Sequence, residues 1–387
     1  MIKFDFLPSR LLLDNYNTLV LVPTQRQMNN YIQTLPATHR NEFEQFFTPA
    51  KVADLLTCKP EDLLDHINDI YNRFPVLVDR YWPARLLCGL PVPDDIHTYE
   101  VRSADSKAVI DKVCEETIDF LFPIVTADMA HMSSLLAKMQ DANTSRKKRD
   151  ALEALKKVEQ GNTLATEKYK DLFPDWINSF ESVFNYPALS KNIGHSIVDE
   201  FAVYVCLYCN DEPIQTIGRR AKIRPDLDHF YPRTKFPFLA VTLSNLIPSG
   251  KICNQSYKRN KDMIGYEHPF VGGVGQPRVF HLVSPIGEGV TEHNFSVTVL
   301  GQGGKLDLNL SEFEIAHNYG ISDEIKSWTA SAFGAVEMMI GYNDPAVKSK
   351  ILSLLINADK PAHRERHKKF KVDSINQFAG IEVLSFL

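Results

Sequence analysis

Two patterns of apolar positions run along this chain. The first recurs every three to four residues and predicts amphipathic helices. It covers QRQMNNYIQTL (25–35), KPEDLLDHINDIYNRF (59–74), SKAVIDKVCEETIDFLF (106–122), TADMAHMSSLLAKMQ (126–140) and SRKKRDALEALKKVEQ (145–160). Pro60 falls near the first turn of the second of these, where its missing N–H costs nothing. HSIVDEFAVYVC (195–206) continues the series, and three further helices follow in 310–320, 322–342 and 345–358. The second pattern is a short apolar or alternating run, which predicts strands. TLVLVP (18–23) reads as a short buried strand. RVFHLV (278–283), FSVTVLG (295–301) and KLDLNL (305–310) read as strands between glycine turns. The expected class is α+β: a mostly helical protein with an embedded strand-containing core.

The chain has 387 residues, of which 44% are hydrophobic and 24% charged, with a net charge of −5. That is ordinary globular composition, long enough for two or three domains. It excludes a general polyanion binder, so any nucleic-acid contact must come from a local patch. The opening MIKFDFLPSR has an early acid and no long apolar core, and IDFLFPIV (118–125) is too short to span a bilayer. A cytoplasmic protein with no membrane contact is the expectation. VGGVGQP (271–277) is no dinucleotide fingerprint, because no helix follows it and Pro277 lacks the N–H a phosphate cradle uses.

Candidate chemistry lies between residues 206 and 262. Cys206-x-x-Cys209 can present two thiolates to one zinc ion. Asp228-His229 follows on an expected strand, where adjacent side chains point to opposite faces unless the chain kinks. Pro232 turns the chain away, Asn245 lies in the next loop, and Cys253-Asn254 opens a stretch that could form a short helix. This segment has ten positive residues against five negative ones, although the whole chain is acidic. Such a footprint suits a phosphate backbone. The other cysteines, Cys58, Cys88 and Cys114, sit among apolar residues and read as buried free thiols.

Cys206-x-x-Cys209, Asp228-His229-x-x-Pro232, Asn245-Leu246, Cys253-Asn254 and Lys258-x-Asn260-Lys261-Asp262 together resemble the HNH, or ββα-metal, endonuclease family, in its zinc-knotted branch. The resemblance covers roughly 60–70 of the 387 residues. It implies two strands and a helix around one divalent ion, Mg²⁺ or Mn²⁺, with Asp228 and Asn254 as oxygen ligands and His229 as general base. Asn245 resembles the family's central asparagine, which ties the loop and orients the base. Lys258, Lys261, Arg233 and Lys235 are the expected nucleic-acid contacts. The implied activity is hydrolysis of DNA, with RNA as an alternative substrate and a non-catalytic nucleic-acid-binding or assembly subunit as the alternative role. By the same resemblance, a bacterial anti-phage system with an ABC-type ATPase partner is implied. The expected division is a helical recognition or docking part (1–190), a nuclease core (191–270) and a mixed extension (271–387).

Gly250 departs from the zinc-knotted pattern, which has cysteine there. Cys206, Cys209 and Cys253 supply three thiolates of the usual four. Either a remote side chain or a water completes the set, or the knot is lost and apolar packing holds the fold. His363 and His367 have helical spacing, but the basic run AHRERHKKFK reads as a solvated or phosphate-facing tail.

Overall fold

The computed structural model describes residues 1–161, 167–217, 223–341, 344–357, 359–380, 383–384 and 386. It is mostly helical, with two small antiparallel sheets: β1 (Asp226–His229) pairs with β2 (Leu246–Ser249), and β3 (Phe280–Val283) with β4 (Ser296–Val299). The α+β class expected from the sequence is therefore observed. No helix among the described residues is long and apolar enough to cross a membrane.

Two expected strands are helices. TLVLVP lies inside one helical run from Arg10 to Thr34, which widens to a π-turn over Asn17–Leu21. Ser9 starts it, its hydroxyl accepting from Leu12 N at 3.2 Å. Tyr16, Val20, Thr24 and Met28 are all buried, a spacing of four that outweighs the β-propensity of the Val-Leu-Val stretch. KLDLNL forms the helix Lys305–Glu312. Its alternation is overridden by Asp307, whose carboxylate accepts from Gln302 N at 2.6 Å and Gly303 N at 3.0 Å and ties the preceding turn to the first helical turn.

Among the described residues, buried side chains form two clusters. One joins residues 1–81 to 173–386, so the first helices pack into the same core as β1 and β2. Tyr16 shows the union: its hydroxyl donates to Val241 O at 2.6 Å. The second cluster, residues 87–158, holds the helices Ala104–Leu121, Ala130–Gln140 and Ser145–Glu159 around their own apolar centre.

The basic C-terminal run is no solvated tail. His367, Lys368 and Lys369 are buried, and His367 Nε2 lies 2.6 Å from Asp211 Oδ1. Asn210, in the left-handed region at φ 55°, donates to Ala362 O and Glu365 O and accepts from Lys368 N. This segment thus clamps the loop that carries Cys206 and Cys209. Of the three scattered cysteines, Cys58 and Cys114 are buried, but Cys88 is exposed.

Candidate active site and thiol cluster

β1 follows Pro225 and ends at His229, three residues before the turn at Pro232. Its register puts Asp228 opposite Ile247 and His229 opposite Leu246. The chain then leaves β2 into a single wide helical turn and a half, Ile252–Lys258. β1, the turn after it and the short helix thus wall a cleft of about 420 Å³, lined by Asp226, Asp228, His229, Arg233, Asn254 and Lys258 among others, while β2 backs β1 without lining it. The strict alternation of a strand would have parted Asp228 from His229. His229 escapes it as the last strand residue, and both line the cleft.

Hydrogen bonds fix the main polar groups of the cleft. His229 Nε2 lies 2.8 Å from Ala240 O, so in the neutral ring this nitrogen carries the proton and Nδ1 is the acceptor. Burial pushes the His229 pKa down to about 3, which keeps the ring neutral at ordinary pH; the bond to Ala240 O opposes this, and Arg233 and Lys258 add to it. The Tyr186 ring stands edge-on to the imidazole at 4.4 Å between centroids, and the Arg233 guanidinium lies over the tyrosine ring at 5.6 Å. Asp228 is buried and accepts from Tyr208 Oη at 2.6 Å and from Lys258 Nζ at 3.1 Å. Asn254 Nδ2 donates to Asp226 Oδ2 at 3.3 Å, and Gln255 Nε2 to the same oxygen at 3.0 Å.

Asn245 is fully buried. It accepts from Tyr231 N at 2.8 Å and donates to Tyr231 O and Leu239 O at 3.0 and 3.1 Å. These bonds close the loop between β1 and β2, the same loop whose Ala240 carbonyl meets His229.

The expected nucleic-acid contacts fare unequally. Arg233 faces the cleft. Lys258 does not extend toward solvent as expected: it is 1% exposed, held between Asp228 and the His229 carbonyl, because a buried carboxylate draws in a compensating cation. Lys235 is largely covered beside Asp262 at 3.5 Å, and Lys261 is tied to Glu312 and the Tyr266 hydroxyl. Arg219, Arg220 and Lys222, part of the basic count, lie outside the described residues.

Sequence reasoning missed Asp226, Tyr208 and Tyr186. Asp226 had a signal: two residues before Asp228 on a strand, it shares a face with it. The tyrosines carried none, since their roles arise from packing across the fold.

Behind the strands, Cys206, Cys209 and Cys253 are all buried, with sulfurs within 4.8 Å of one another. A tetrahedral zinc with Zn–S bonds of about 2.3 Å needs thiolates roughly 3.8 Å apart, so a small closure suffices and the trio could hold a metal ion such as zinc. Cys209 Sγ accepts from Asp211 N at 3.4 Å and Glu212 N at 3.5 Å, which orients its lone pairs. Burial pushes the Cys206 thiol up, but hydrogen bonds from Cys209, Cys253 and the backbone N–H groups of Gly250 and Cys209 outweigh it and hold Cys206 well below the usual thiol range. The hydrogen bond with Cys206 raises Cys209 and Cys253 in return. Among the described residues this is the one group of three or more acidic, imidazole or thiol ligands so closely gathered. His363 and His367 form no such group. Against known proteins, no family model, no curated protein and no solved structure matches this chain.

Proposed function

We propose that this protein is a metal-dependent endonuclease of the ββα-metal type that hydrolyses DNA phosphodiester bonds. The reading rests on one observation above the others: a carboxylate, an amide and a neutral imidazole with a fixed tautomer line one cleft. His229 acts as general base: burial alone leaves the ring weakly basic, near pKa 3, and the negative charge of a bound phosphate raises it toward the working range. Its Nδ1 takes the proton of a water as that water's oxygen bonds to phosphorus, and the ester oxygen on the far side departs and gains a proton from solvent. Asn245 holds the loop that fixes the His229 tautomer. Arg233 offers charge to the phosphate, and Tyr186 holds both Arg233 and the His229 ring in place.

The donor set fits a hard cation. Asp226 only accepts hydrogen bonds when ionised, so Asn254 turns its Nδ2 toward it and leaves its carbonyl oxygen available as a ligand in the cleft that Asp228 also lines. Bound at Asp228 and Asn254, Mg²⁺ or Mn²⁺ would polarise the phosphate and neutralise the departing oxyanion. Zinc at Cys206, Cys209 and Cys253 would be structural, joining the knuckle to the helix that carries Asn254.

One observation favours a second reading, binding without cleavage. The Lys258 ammonium already compensates Asp228, in the way a cation ligand would. Plasmid nicking separates the two. Wild type with Mg²⁺ or Mn²⁺ should convert supercoiled DNA to the open circle, and a folded His229→Ala should not. Retained DNA binding with no nicking in either metal would leave the second reading standing, and cleavage of RNA alone would move the substrate class.

A further inference from the structure

The place of the missing fourth cysteine is not empty space. Gly250 is buried, and a Cβ built on it would lie 1.9 Å from Glu212 Oε2, 2.2 Å from its Cδ and 2.8 Å from its Cγ. All three clashes come from one side chain. That carboxylate is engaged: Oε1 accepts from Lys251 N at 2.9 Å and Oε2 from Ile252 N at 3.1 Å, at the start of the helix that carries Cys253 and Asn254. The Glu212 main chain is tied to the knuckle in both directions, its N–H meeting Cys209 Sγ at 3.5 Å and its carbonyl accepting from Cys206 N at 2.9 Å.

We infer that Glu212 and Gly250 together replace the fourth cysteine: the carboxylate fixes the turn at 250–252, and the metal is held by three protein thiolates rather than four. The inference rests on the thiol cluster being a metal site and takes position 250 from the resemblance to the zinc-knotted branch, but does not depend on cleavage activity. A metal-bound cysteine at position 250 would anchor this turn through its sulfur. Here two charge-assisted hydrogen bonds anchor it instead, and residue 250 must then be glycine to admit the carboxylate. Glu212 is no ligand in this arrangement, because its carboxylate falls outside the close group of three sulfurs.

Cobalt(II) substitution of the full-length chain tests this, since sulfur-to-cobalt absorption scales with the number of thiolates. Wild type should show a tetrahedral three-thiolate spectrum. Gly250→Cys alone should lower the melting temperature, because the Glu212 side chain blocks the new Cβ. Combining it with Glu212→Ala removes all three clashing atoms, and the double variant should regain stability. Its charge-transfer intensity should rise by about a third, from three thiolates to four, and it should yield metal to a chelator more slowly. Glu212→Gln should keep the wild-type cobalt bands while lowering the melting temperature. Bands that shift in Glu212→Gln would make Glu212 a ligand and overturn the inference, as would a double variant whose intensity stays at the wild-type value. No sulfur-to-cobalt band in either wild type or the double variant would instead remove the metal site itself.

Discussion

The Lys258 ammonium lies 3.1 Å from Asp228 Oδ1, with the two side chains 1% and 5% exposed. A buried pair of this kind contributes little net stability, but losing one partner strands the other charge. Lys258→Met should therefore destabilise the protein by about 3–5 kcal/mol in urea unfolding at neutral pH. If a divalent ion binds Asp228, it competes with Lys258 for the same carboxylate. Mn²⁺ should then stabilise the Lys258→Met variant more than wild type. Equal stabilisation of both by Mn²⁺ would remove Asp228 from the ion's ligands.

Asp226 orients a proposed ligand without being one. Its carboxylate holds the amide nitrogen of Asn254, which turns the carbonyl oxygen away. Asp226→Asn can meet that amide with either end of its own, so the orientation is no longer fixed. Outer partners of metal ligands are commonly worth about 10–100-fold in affinity. We expect Mn²⁺ affinity, by calorimetric titration, to fall about tenfold in Asp226→Asn with little change in unfolding midpoint. An unchanged affinity would show that Asn254 needs no such guide.

Asn245 closes the loop with one accepted and two donated bonds, all buried. Asn245→Asp keeps the shape but sets a carboxylate against two carbonyl oxygens. Each unsatisfied buried group costs about 1–3 kcal/mol. Asn245→Asp should lose at least as much stability at pH 8 as Asn245→Ala. A variant as stable as wild type would mean the loop holds without this amide.

Much of the site was legible because its chemistry is local in sequence. Asp228-His229, Asn245 and Cys253-Asn254 lie within a short span, and the two strands and helix that gather them are equally short. The Cys206-x-x-Cys209 spacing likewise announced the thiol cluster. What the sequence hid depends on distant packing. Lys258 looked like a surface lysine because nothing in its neighbours reveals the buried carboxylate it meets. The His367 run looked solvated because its anchor, Asp211, is 156 residues away. TLVLVP looked like a strand because its β-branched residues were read apart from Tyr16 and Met28, which carry the helical period. Gly250 looked like a loss, and the carboxylate that fills its place lies 38 positions earlier in the sequence.

His268 gives the stability a pH dependence of known sign. It is buried between the Phe230 and Phe270 rings, at 4.3 and 5.3 Å, and its Nδ1 accepts from Phe270 N. Burial lowers its pKa from 6.5 to about 3. The unfolded chain therefore binds a proton at a pH where the folded chain does not. Its contribution is complete above about pH 6.5 and is lost as the pH falls from there toward 3. His229, also lowered to about 3, and His131, lowered to about 4, act in the same direction by the same cause, desolvation. Each ring costs about 1.4 kcal/mol per pH unit inside its window. Urea unfolding between pH 6.5 and 4.5 should show stability falling with acid, and His268→Gln should make that slope shallower by about 1.4 kcal/mol per pH unit. An unaltered slope in His268→Gln would mean that the ring is protonated, or freely hydrated, in the folded protein.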